Sequence, residues 1–121
     1  MPTFKTWDII KVPFPYTDRP VREKRPVLVI ASGDAQSDSG LVWVLMITSY
    51  GNRPWPTDVH VSDLGLSGLP APSVVRTAKI ATIETKESER IGVLPMPDRE
   101  AVSSQVRNKL AELIRAESPV G

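Results

Sequence analysis

Four cations fall within seven residues of the chain: Arg19, Arg22, Lys24 and Arg25, with Glu23 among them. A cluster of this kind can hold phosphates, by the attraction that binds nucleic-acid backbones. A solvated hairpin loop accounts for the same charges, and charge alone leaves both readings open. His60 is the single histidine. Its ordinary titration near neutrality makes it a tempting general base. It alternates with Asp58 on the polar side of a short apolar run, where a solvated imidazole is the simpler reading. The chain has no cysteine, which excludes thiol catalysis, zinc fingers and a disulfide framework, and fits a reducing compartment.

The length of 121 residues is that of one domain, 1–121, large enough to fold without a metal or disulfide staple. Fifteen Lys and Arg stand against 14 Asp and Glu, a net charge of +1. That balance excludes a polycationic nucleic-acid coat but not a local basic site. Residues 1–31 carry six cations and three acids, while residues 34–70 carry Arg53 against Asp34, Asp38, Asp58 and Asp63. The longest apolar runs, Val27–Ala31 and Leu41–Ile47, are too short to span a bilayer. Lys5, Asp8 and Lys11 interrupt any signal-peptide core. A cytoplasmic protein is expected.

Proline makes up 12 of the 121 residues, about twice its usual share of roughly 5%. The prolines stand between apolar runs, where they punctuate short strands. Strands are expected over Trp7–Phe14, Val27–Ile30, Leu41–Thr48, Thr57–Val61, Ser73–Thr77, Lys79–Ile83 and Ile91–Leu94. Trp7 and Trp43 would then lie in the core, and Asp8 would be a structural acceptor. The irregular stretch Leu64–Pro72 has room for one helical turn. From residue 98 the period changes. Val102, Val106, Leu110, Leu113 and Ile114 line one face of a helix over 98–116, with Asp98 as its N-cap. Such a stripe is ordinarily core and less often a dimer contact. Six or seven short strands and one late helix predict a mainly β (α+β) fold, a small closed barrel with the helix packed on it.

Five segments, taken in order, carry a resemblance. They are Asp8-Ile-Ile-Lys-Val-Pro-Phe-Pro-Tyr16-Thr17-Asp18 with Lys24-Arg25-Pro26-Val-Leu-Val-Ile; Val44-Leu-Met-Ile47-Thr48-Ser49; Thr57-Asp58-Val59-His60-Val61; Gly65-Leu66 through Ser73-Val74-Val75-Arg76; and Lys79-Ile80-Ala-Thr-Ile83 with Arg90-Ile-Gly-Val-Leu94. Over roughly residues 6–115 the chain resembles the MazF/PemK (Kid-like) toxins of type II toxin–antitoxin systems. The resemblance implies an SH3-like, CcdB/PemK-type barrel working as a homodimer. It implies metal-independent, cofactor-free cleavage of single-stranded RNA, and a cognate antitoxin with an acidic, partly disordered segment. It implies Arg25 and Thr48 as catalytic residues. It implies substrate contacts from Ser49 and Arg76, and the chain's own basic cluster at Lys24, Arg22 and Arg19, with Tyr16 as a stacking ring, is expected to add to them. The chain departs from the pattern at three places. Trp7 stands where Gly usually precedes Asp8, Lys24 where an acid often precedes the Arg, and Ala78 where some members carry an acid.

The implied chemistry suits these side chains. When a ribose 2′-OH attacks the adjacent phosphate, the enzyme must hold the geometry, stabilise added negative charge and move two protons. A guanidinium is planar, permanently charged and bidentate toward phosphate oxygens. Its high pKa assigns Arg25 to charge stabilisation before proton transfer. Thr48 and Ser49 can donate to a phosphate oxygen or position the 2′-OH. Tyr16 and Trp55 can stack unpaired bases, although Trp55, between two prolines, can equally pack its own loop. Two other classes remain open: a gyrase-poisoning barrel toxin that cuts nothing, and a non-catalytic RNA- or antitoxin-binding member.

Overall fold

The computed structural model describes residues 4–13, 24–32 and 40–116. Among them six strands form one antiparallel sheet: β1 (Asp8–Pro13), β2 (Lys24–Ser32), β3 (Leu41–Ser49), β4 (Asp58–His60), β5 (Ser73–Glu84) and β6 (Glu89–Val93). The spatial order is β4-β5-β3-β2-β1-β6. A four-residue helix α1 (Leu64–Ser67) follows β4, and a long helix α2 (Met96–Ala116) follows β6.

Both faces of the central strands are buried, which is why β2 and β3 read as nearly continuous apolar runs. One face gathers Phe4, Ile10, Val12, Val27, Val29, Val42, Val44 and Met46. The other gathers Ile9, Leu28, Leu45, Ile47, Val75 and Leu94 with Val102 of α2. The pleat separates them residue by residue, so a one-residue slip would exchange the two sets.

Closure by strand pairing, expected from the sequence, is not found among the described residues: no ladder joins β4 to β6. Helix α1 lies against β6 instead. Its C-cap Gly68 has φ +73°, and a Cβ there would overlap the backbone of Ile91. A Cβ on Gly92 would overlap the backbone of Ser67. Two glycines thus permit a backbone contact where a barrel would have a ladder. The pair of strands expected at 73–77 and 79–83 is one long strand. Its partners step from Met46↔Arg76 to Leu45↔Ile80, so Thr77, Ala78 and Lys79 form a bulge.

Helix α2 begins at Met96, two residues before the expected N-cap. Asp98 lies in the first turn, and its carboxylate accepts from the backbone N–H (2.8 Å) and hydroxyl (3.0 Å) of Ser62. Only the first half of the helix stripe is core. Val102 is fully buried, whereas Leu110, Leu113 and Ile114 are exposed, the last at 71%. Trp43, expected inside, is 52% exposed. It pairs with Thr82 near the end of the sheet that α2 does not cover. Asp8 is buried and accepts from the Lys5 backbone N–H and the Arg90 guanidinium, the structural part expected of it. No described helix is long and apolar enough to cross a membrane.

Candidate functional site

Strand register assembles the site. In the β1–β2 ladder Val12 faces Arg25. The β2–β3 ladder pairs Val27 with Met46, and strand alternation puts Arg25, two residues before Val27, and Thr48, two residues after Met46, on the same face. Thr48 in turn faces Val74, and Val74 faces His60. The next row reads Val27, Met46, Arg76, Asp58. Cross-strand partners share a face, so Arg25, Thr48, His60, Arg76 and Asp58 all lie on the face of Val12 and Met46. With strands about 4.8 Å apart, Thr48 stands two spacings, about 10 Å, from His60 through Val74.

The same alternation separates other expected contacts from this group. Lys24 faces Pro13, and Ser49 faces Ser73. Both are one residue out of step with Arg25 and Thr48, and the pleat sends them to the opposite face. Tyr16, Arg19 and Arg22 lie outside the described residues.

Arg76 is held from three sides. Its Nε and Nη2 donate to the two carboxylate oxygens of Asp58 at 3.2 and 3.1 Å. Nη2 also donates to the Arg53 carbonyl at 2.8 Å, and the guanidinium carbon lies 4.3 Å from the centre of the Trp55 ring. Only 12% of the Arg76 side chain and 7% of that of Asp58 are exposed. This is a bidentate, desolvated pair with a cation–π lid. Trp55 therefore packs on its own loop, through Arg76. The second Asp58 oxygen also accepts from the Trp55 backbone N–H. Burial raises the Asp58 pKa, but hydrogen bonds from Arg76 and Trp55, with the charges of Arg76 and His60, outweigh it. The carboxyl is held below its ordinary value.

These contacts brace the segment between β3 and β4. Thr77 adds a hydrogen bond to the Thr57 carbonyl, and Asn52 closes a turn onto the Ser49 carbonyl. Asn52 also donates from its side-chain amide to the Thr48 hydroxyl oxygen. A hydroxyl that accepts in this way keeps its own proton to donate. Beyond Thr48 the Tyr50 ring meets His60 edge-to-face, with centroids 4.7 Å apart. Sequence reasoning passed over both Asn52 and Tyr50. Neither residue type is distinctive in a polar loop, and the only signal was their spacing of four and two from Thr48.

A family model described as "PemK-like, MazF-like toxin of type II toxin-antitoxin system" matches residues 5–113. The chain belongs to this toxin family. Solved structures agree in fold. The Mycobacterium tuberculosis toxin MazF-mt6 is 25% identical over 86% of this chain and 96% of its own, at a TM-score of 0.64. A structure described as an Mtb toxin is 32% identical over 69% of this chain and 90% of its own, at 0.56. An endoribonuclease in complex with its cognate antitoxin, from a mycobacterial species, is 14% identical over 90% and 96%, at 0.68, a likeness of fold alone. No curated protein matches the chain. The family match spans Arg25, Thr48 and Arg76, so this toxin's rows of paired residues lie wholly within the family's domain.

Proposed function

We propose that this toxin is a metal-independent endoribonuclease that cleaves single-stranded RNA at selected sequences. The observation that supports the reading is the strand alternation by which Arg25, facing Val12, and Thr48, facing Val74, share one face of the sheet. Family membership and the solved endoribonuclease of similar fold support it. The substrate's 2′-OH is the nucleophile: its oxygen bonds to the neighbouring phosphorus, and the P–O5′ bond breaks. The products are a 2′,3′-cyclic phosphate and a 5′-OH. Arg25 neutralises the charge gathering on the non-bridging oxygens, and Thr48 donates a hydrogen bond to one of them. One proton must leave the 2′-OH and another must reach the departing O5′. We assign that proton transfer to Arg25 as its second role, and Ala78 offers no carboxylate to help it.

The protein works as a cytoplasmic homodimer restrained by a cognate antitoxin. The exposed Leu110, Leu113 and Ile114 on α2 support the dimer, because a stripe of three large apolar side chains is costly to leave in water. The MazE–MazF and endoribonuclease–antitoxin complexes of similar fold support the antitoxin. An acidic, partly disordered antitoxin segment would complement the cations at Arg19, Arg22, Lys24 and Arg25.

The test is incubation of the purified toxin with a long single-stranded RNA in excess EDTA, followed by end-group mapping. Discrete cuts bearing cyclic-phosphate and 5′-OH ends are expected. Intact RNA would overturn the reading. A gyrase-poisoning toxin is the second reading, because it too could use the exposed end of α2. Loss of supercoiling activity with intact RNA would favour it.

A further inference from the structure

We propose that Tyr50 and His60 form a stacking platform for an unpaired nucleobase flanking the cleaved phosphate, an inference that rests on the endoribonuclease reading. Tyr50 is the first residue after β3, in the turn that follows Thr48 and Ser49. Its edge-to-face contact with His60, which shares the Thr48 face through Val74, is what places its ring at that face. Tyr50 is 58% exposed, and His60 is exposed beside it. Neither is loosely tethered. The Tyr50 backbone N–H donates to the Pro72 carbonyl at 2.9 Å, and His60 is fixed by the β4–β5 ladder.

An edge-to-face pair leaves ring surface open for a third ring, which can stack at little ordering cost because the first two already support each other. The partner chemistry follows from the position. His60 lies on the face of Thr48, two strand spacings away through Val74, within reach of a base next to a phosphate held at Thr48. Single-stranded RNA is held by splayed bases on aromatic rings. Trp55 is unsuited to this part, because its ring is spent on Arg76. The phenol and imidazole add polar edges that can read a base edge, so the platform contributes to sequence choice as well as affinity.

The test is a cycle between Tyr50 and the bases of the substrate. The probe is a short RNA containing the mapped cleavage site, made uncleavable by a 2′-deoxy sugar at the attacking ribose. Each flanking base is replaced in turn by an abasic residue. Binding to the wild-type toxin is expected to fall about tenfold at one flanking position, matching a base–aromatic stack of roughly 1–3 kcal/mol. Tyr50→Leu is expected to bind the intact probe about tenfold more weakly and to be indifferent to that abasic position. Tyr50→Phe should keep the stack and its abasic penalty, and lose only the phenol's share of base discrimination. On cleavable RNA, Tyr50→Leu should raise KM and leave kcat nearly unchanged.

An equal abasic penalty in wild type and Tyr50→Leu overturns the platform while leaving the nuclease intact, provided wild type still cuts. If wild type cuts no RNA, the endoribonuclease reading and the platform fall together. If Tyr50→Leu weakens only the capture of an acidic antitoxin peptide, the rings belong to a protein interface and the platform is wrong.

Discussion

The side-chain amide of Asn52 donates a hydrogen bond to the hydroxyl oxygen of Thr48, four residues earlier in the chain. The bond fixes where the Thr48 proton can point. With the oxygen accepting from Asn52, the O–H is left to donate toward whatever lies between Thr48 and Arg25.

Asn52→Asp reverses that hydrogen bond at almost constant shape. The carboxylate can only accept, so it draws the Thr48 proton away from the phosphate. Single-turnover cleavage should fall about tenfold, the size of one lost charge-directed hydrogen bond. The melting temperature should hold, since Asn52 is exposed. Asn52→Ala should lose less, because the hydroxyl is then merely unguided. Cleavage by Asn52→Asp at the wild-type rate would contradict the positioning role.

Asp58 ties stability to acid. Its folded pKa is depressed, so the native state binds its proton less readily than the unfolded chain. The stabilisation is therefore fully present above the unfolded value of about 3.9 and is lost as pH falls through the folded value. Urea melts of wild type and Asp58→Asn should differ by a constant amount from pH 7 down to about pH 5. Below about pH 4 the two should converge. A difference that grew on acidification would show that the carboxylate is not the stabilising form.

Trp7 occupies left-handed backbone, with φ +81°. The family's usual glycine belongs there, since a side chain costs roughly 1–2 kcal/mol in that region. Trp7 offsets the strain by packing against the cluster of Ile9, Leu28 and Leu94, with the Arg99 guanidinium 5.7 Å from its ring centre. Both Trp7→Ala and Trp7→Gly lose that packing, but only glycine sheds the strain. Thermal melts should rank wild type above Trp7→Gly, and Trp7→Gly above Trp7→Ala by about 1 kcal/mol. The reverse order of the two variants would mean that Trp7 is not strained.

The strands and the late helix were legible because period-two and period-3.6 patterns report burial directly. The β-branched run at Val27–Ile30 and the stripe through Val102 show this most plainly. Closure was misjudged because the contact that replaces it is made by backbone at Gly68 and Gly92, and missing side chains leave no pattern to read. Asp98 looked like a cap because its partner Ser62 is distant in sequence. The grouping of Arg25 with Thr48 followed from a family resemblance, and the strand pairings that put both on one face cannot be read from either segment alone. The Asp58–Arg76–Trp55 assembly was hidden for the same reason. Three residues of ordinary type become one unit only when β4 is laid beside β5.

The central claim is that Arg25 and Thr48 act together on one phosphate. A double-mutant cycle on single-turnover cleavage, in EDTA and with fold checked by circular dichroism, tests it most directly. Arg25→Ala should slow cleavage by about 10²–10³ and Thr48→Ala by at least tenfold. The double variant should be little worse than Arg25→Ala, since residues acting as a unit are not additive. Independent losses that multiply, or full activity in Arg25→Ala, would contradict the account.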